Sequence, residues 1–201
     1  MPYEDFLKLD NPVFSHSDVA HAFGIKLVSA EVLCSRYVKK GLLTRIKRGL
    51  YARTETLSHL DRRELFRMAN ILQVPSYISL ATALSYYGMV SQARAGFFES
   101  ISLKRTRTFE AGGFSFVYTK IKPDLYREFI KRDGVFIALP EKAVLDCCYL
   151  ASMGRYSLDG APLDVTRLDE KSLAECSALY PLKTRKYLEA FYAKLTRRKS
   201  L

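Results

Sequence analysis

The chain has 201 residues, enough for one large domain or two small ones, and its 48% hydrophobic and 26% charged content suits a packed, water-exposed globule. Lys and Arg outnumber Asp and Glu by 32 to 21, and the net charge of +11 favours a polyanionic partner, nucleic acid ahead of a membrane surface. No apolar run approaches the roughly 18 residues that span a bilayer, and Cys34, Cys147, Cys148 and Cys176 fit neither a zinc spacing nor a disulfide framework.

The opening "MPYEDFLKLDNPVF" is acidic and has no secretory core, so a reduced, cytoplasmic setting is expected. Residues 3 to 9 read as a short helix. In "FSHSDVAHAFGI", Ser15 or Ser17 can cap a helix with Val19, Ala22 and Phe23 at helical spacing, and Gly24 ends it. Ser29 is expected to cap the next helix, "SAEVLCSRYVKKG". Ala30, Leu33, Cys34, Tyr37 and Val38 form its apolar stripe, while Val32, Ser35, Arg36 and Lys39 share the opposite face.

"LLTRIKRGLYAR" follows, two short runs around Arg48-Gly49, a hairpin signal. A helix, a turn, a second helix and a basic hairpin in this order make a winged helix-turn-helix. The helical stretch "DRRELFRMANIL" then runs to Pro75, and the boundary is expected between residues 58 and 75, giving a DNA-binding domain over 1–60 and an α+β domain over 61–201.

In the second domain "SYISLATALSYYG" reads as a helix from Ser79 to Gly88. "FFESISLKR" and "FSFVYTKI" read as strands of a hairpin across "FEAGG", and "GVFIAL" as a short buried strand. "PEKAVLDCCYLASMG" has Pro140 and Glu141 in its first turn and Gly154 at its end. Helices near 168–178 and 183–196 complete a mixed α/β domain. The last carries Tyr187, Leu188, Phe191, Tyr192 and Leu195 on one side, with Lys183, Lys186, Lys194 and the terminal arginines outside.

From Val32 to Thr54 there are seven cations, Arg36, Lys39, Lys40, Arg45, Lys47, Arg48 and Arg53, and no Asp or Glu. In a winged helix the second helix enters the major groove and the wing follows the backbone or minor groove. Arg36, Lys39 and Ser35 are therefore expected at base edges or phosphates, and Arg45, Lys47 and Arg48 on the wing, with Lys40 and Arg53 also expected to bind DNA. "KRTRTF", residues 104–109, is a second basic cluster, an extra DNA contact or a protein-binding edge.

Catalysis and metal binding find no support. His16 and His21 are five apart and share no helix face, and His59 stands alone. Glu99 and Lys104 fall on opposite faces of a strand, and Lys142–Asp146 reads as an ordinary i, i+4 helix pair. No enzyme, cofactor or metal is expected.

The succession "RIKRGLYAR", "PSYISLATALSYYGMV", "ISLKRTRTFEAGGFSFVYTKIKPDLY" and "GVFIALPEKAVLDCCYL" resembles the AbiEi family of bacterial antitoxins over residues 14 to 152. The resemblance implies an N-terminal winged helix that binds and represses the promoter of its own operon. It also implies a C-terminal domain that neutralises an AbiEii-like nucleotidyltransferase toxin, in a pair tied to phage defence. The DNA-binding role then carries over to Ser29, Ser35, Arg36, Lys39, Arg45, Lys47 and Arg48. The expected partners are double-stranded promoter DNA, the toxin, and further copies of the chain binding cooperatively on DNA. A winged-helix regulator with a ligand- or protein-sensing second domain and no toxin is the alternative.

Overall fold

The computed structural model describes residues 3–9, 11–57, 59–90, 95–157 and 163–198, with residues 195–198 described by backbone alone. The expected side-chain positions of Leu195 and the terminal arginines lie outside that set.

A 3-10 turn at Tyr3–Lys8 leads into a short strand, β1 (Val13–Ser15), which sequence alone did not reveal. Helix α1 (His16–Phe23) starts at a capping box. The Asp18 N–H donates to Ser15 Oγ at 3.2 Å, the Ser15 N–H donates to Asp18 Oδ2 at 2.6 Å, and Gly24 closes the helix at φ +60°. Helix α2 (Leu27–Lys39) begins three residues before the expected start. Its N-cap is Lys26, with no side-chain hydrogen bond, and Ser29 sits inside the first turn.

Strands β2 (Leu43–Lys47) and β3 (Leu50–Arg53) form the hairpin, and β1 pairs antiparallel with β3, so the sheet runs β1-β3-β2. Helix–turn–helix followed by a hairpin, with an earlier strand completing the sheet, is a winged-helix-like arrangement. One sheet face packs Phe14, Leu43 and Tyr51 against Leu33, Cys34 and Tyr37 of α2 and Phe6 of the first turn. The other face carries Val13, Ile46, Leu50 and Ala52 into the core of the following unit.

That unit starts after a short helix α3 (Thr54–Leu57) with α4 (Arg62–Leu72), capped reciprocally by Asp61 and Glu64. Next come β4 (Ser76–Ile78), α5 (Leu80–Tyr86), β5 (Phe97–Ser102), β6 (Arg107–Ala111), β7 (Phe114–Lys120), β8 (Phe129–Arg132) and β9 (Val135–Ala138). Helices α6 (Pro140–Ser152), α7 (Glu170–Ser177) and α8 (Leu182–Arg198) finish it. The six strands form one mixed sheet in the order β6-β7-β5-β4-β9-β8.

The expected hairpin between the runs at 97 and 114 does not form. β5 and β7 lie side by side in parallel, and the hairpin joins β6 to β7 across Gly112-Gly113. Helix α4 covers one face of the sheet, with Phe66 edge-on to Phe98 and the Tyr118 hydroxyl donating to the Ala69 carbonyl. Helix α6 covers the other, where Tyr77 reaches Asp146. The alternation of side chains along the strands supplies both faces.

Lys142 and Asp146 form the i, i+4 helix pair expected of their spacing, but inside the core. Both are fully buried, their charged atoms 2.5 Å apart. Lys142 Nζ also donates to the Leu125 carbonyl at 2.8 Å and to the Tyr180 hydroxyl at 2.6 Å. Asp146 Oδ2 accepts from Tyr77 at 3.0 Å and Ser79 Oγ at 2.8 Å. With those partners the charges are spent on tying α6 to β4 and to the segment before α8.

Candidate nucleic-acid interface

Residues Ala30, Leu33, Cys34 and Tyr37 turn inward from α2, so the remaining arc of the helix faces solvent. At about 100° per residue, Val28, Ser29, Val32, Ser35, Arg36 and Lys39 fall within one sector, and all are exposed. Val28 is 71% and Val32 55% exposed, which is costly for β-branched side chains unless something covers them. The expectation had included Val32 but missed Val28, because the helix was started too late. Lys40 caps the helix end, its ammonium 5.7 Å from the Tyr37 ring centre.

The wing turns at Arg48-Gly49, where Gly49 has φ +79° and Arg48 is exposed at the tip. A Cβ at Gly49 would lie 3.5 Å from the His16 ring, so the tip rests on the start of α1. His16 joins three elements. Its Nε2 is 3.1 Å from the Tyr51 hydroxyl on β3, and its Nδ1 is 3.4 Å from Glu31 on α2. This fixes the angle between wing and helix. It also engages Glu31.

Two of the expected DNA-binding cations, Lys47 and Arg53, point elsewhere. The pairing of β2 with β3 slips between Arg45 and Lys47, so Ile46 is an extra residue and the alternation of faces breaks there. Lys47 consequently reaches across the seam and donates to the Leu72 carbonyl at 2.6 Å. There it caps the C-terminal end of α4, where a cation is favoured. Burial, then the charges of Lys104 and Arg107, push its ammonium pKa below the ordinary range.

Arg53 is half-buried, and its Nη1 donates to the Phe6 carbonyl at 3.0 Å, holding the 3-10 turn. The exposed cations of the surface are thus Arg36, Lys39, Lys40, Arg45 and Arg48, beside Ser29 and Ser35.

Beyond the wing, β2 lies against β6. Lys104, Arg105 and Arg107 are exposed at that edge, and Arg107 stacks 4.4 Å from the Phe109 ring centre. The basic cluster read from "KRTRTF" therefore adjoins the wing across a seam crowded enough with cations to lower Lys47.

The acidic side chains weighed as catalytic candidates are internal. Glu99 is almost fully buried under Tyr156, whose hydroxyl is 3.3 Å from Oε2, and burial pushes its carboxyl pKa up to about 7. Among the described residues no three His, Cys, Asp or Glu side chains stand together as a metal-binding group, and no helix is long and apolar enough to cross a membrane.

No curated protein matches the chain. The family match covers the N-terminal unit, whereas the motifs of the second unit that carried the rest of the resemblance lie outside it. Residues 2–54, from the first turn through the wing, match the family described as transcriptional regulator, AbiEi antitoxin.

Proposed function

We propose that the chain represses its own operon by binding promoter DNA and neutralises a nucleotidyltransferase-like toxin encoded beside it. The observation that carries the DNA half is the exposed face of α2 and the wing tip, five cations with no acid between Val32 and Thr54. In this reading α2 lies in the major groove. Val28 and Val32 meet thymine methyls, Ser35, Arg36 and Lys39 meet base edges or phosphates, and Arg45 and Arg48 track the backbone. The toxin half is supported by the family description that residues 2–54 match.

Fluorescence anisotropy with the DNA upstream of the gene, beside a shuffled duplex, tests the first half. Arg36→Ala and Lys39→Ala are expected to weaken the cognate duplex by about 1–3 kcal/mol wherever the side chain reads a base, with a smaller loss on the shuffled one. Equal, weak binding of both duplexes by the native chain overturns autorepression. For the second half, co-expression with the neighbouring toxin should restore growth. A chain that leaves the toxin lethal is a regulator of another kind.

A further inference from the structure

Strands β4 and β9 pair only at Ile78↔Ile137, and beyond that point they diverge. Asn70 of α4 takes the place of the missing strand, its amide accepting from the Phe136 N–H at 2.6 Å and donating to the Phe136 carbonyl at 3.3 Å. The gap opens into a groove of about 820 Å³ at the end of the sheet, with Asn11 of the N-terminal unit on its rim. That size lies within the usual range of ligand clefts, and a place between two packed units is a usual one.

The walls are aromatic and aliphatic: Tyr126, Phe129, Phe136, Ile71, Val74 and Pro75. Phe129 is held flat, stacked on Tyr77 at 4.6 Å and 12°. Ile71, Val74 and Phe136 are 39%, 58% and 40% exposed, three large apolar side chains left to water around one opening. The charged groups lining it are Arg67 and Lys131, and the lining contains no Asp or Glu. Arg67 donates to the Asp133 carbonyl, and neither cation forms an ion pair with a carboxylate among the described residues. In the floor, Ser76 is 5% exposed and its hydroxyl has no hydrogen-bond partner.

We propose that this groove binds a small aromatic carboxylate. A flat ring fits between Phe129, Phe136 and Val74, where offset stacking and apolar burial act together. The carboxylate meets Arg67 and Lys131 at the rim. An acidic ligand without a ring would leave the apolar walls wet. A neutral ring would leave the two cations without a counter-charge. The site is independent of the DNA-binding reading, since the chain would take this ligand whether or not it binds a promoter.

The probe is naphthoate, titrated into the full-length chain and followed by amide proton–nitrogen spectra. Saturable shifts are expected at Ile71, Lys131, Gly134 and Phe136, with the neutral naphthylmethanol binding about tenfold more weakly. Lys131→Glu, at an exposed position, should weaken naphthoate about tenfold while leaving the rest of the spectrum in place. Ile71→Glu, also exposed, should do the same from the opposite wall. Absence of saturable shifts, shifts centred elsewhere, or equal binding of the acid and the alcohol overturns the proposal. So does native affinity in both variants. A groove made for a partner protein's segment would give the first of these results.

Discussion

Lys47 and Arg48 are adjacent in the chain and point to different places. Arg48 stands in solvent at the wing tip, while Lys47 crosses to the end of α4, because the bulge at Ile46 shifts the side-chain alternation by one. Without that bulge Lys47 would share a face with Arg45, which is how the spacing alone reads. Glu99 is a second residue whose environment overrides its type. Burial raises its carboxyl pKa to about 7, from an unfolded value near 4.5. The folded state therefore holds a proton that the unfolded state has lost between these two values, so stability is full below about pH 4.5 and falls as pH rises towards 7. The loss is on the order of 3 kcal/mol. Urea denaturation from pH 5 to pH 8 should show the native chain weakening through this window relative to Glu99→Gln, which keeps the hydrogen-bonding shape without the charge. Parallel curves for the two proteins would show that Glu99 does not titrate there.

Elements announced by caps and breakers were legible in the sequence. Ser15 and Gly24 bracket α1, Pro140 and Gly154 bracket α6, and the inward stripe of α2 is where its periodicity put it. The start of α2 was not, because Leu27 and Val28 are exposed and Lys26 caps through backbone alone, leaving no polar cap or buried residue to mark the turn. Strand β6 was hidden for a related reason, since Arg107, Thr108 and Glu110 are exposed and only Phe109 and Ala111 face inward. Reading it as part of a loop made parallel neighbours look like a hairpin.

The β6–β7 turn also explains its own glycines. A Cβ on Gly112 would sit 2.8 Å from Leu57 Cβ of α3, at φ +58°, whereas Gly113 at φ +82° faces open space. Gly112→Ala should therefore cost about 2–3 kcal/mol, backbone strain plus the wedge against Leu57, and Gly113→Ala only the strain, about 1–2 kcal/mol. Urea midpoints of the two variants give the comparison. Equal losses would mean that the turn yields freely and does not brace α3.

At the scale of the whole molecule, the three-stranded sheet is buried on both faces, by α2 on one side and by the second unit on the other. Among the described residues the two units share buried side chains. Val13, Ile46, Leu50 and Ala52 share one core with α4 and the six-stranded sheet, so a fragment cut at the wing would expose that whole face. The sequence pointed to a boundary near α4 because helix, turn and charge patterns change there, but pattern along the chain says nothing of a face shared across it.

This continuity changes what the DNA footprint should be. With Lys47 and Arg53 engaged internally, five exposed cations remain on α2 and the wing, and alone they would give a slope of log affinity against log salt of about −4.5. Lys104 and Arg107 stand across the seam from the wing, close enough to lower Lys47, and exposed. A duplex lying along the wing is expected to meet them, bringing the slope to about −6. Replacing both by alanine should then flatten the slope by about 1.8 and weaken cognate and shuffled duplexes alike, since phosphate contacts carry no sequence. Both positions are exposed, so the melting temperature serves as the control for the loss of the Arg107–Phe109 stack. An unchanged slope with an unchanged melt would end the footprint at Arg48 and leave the basic edge of β6 for another polyanion.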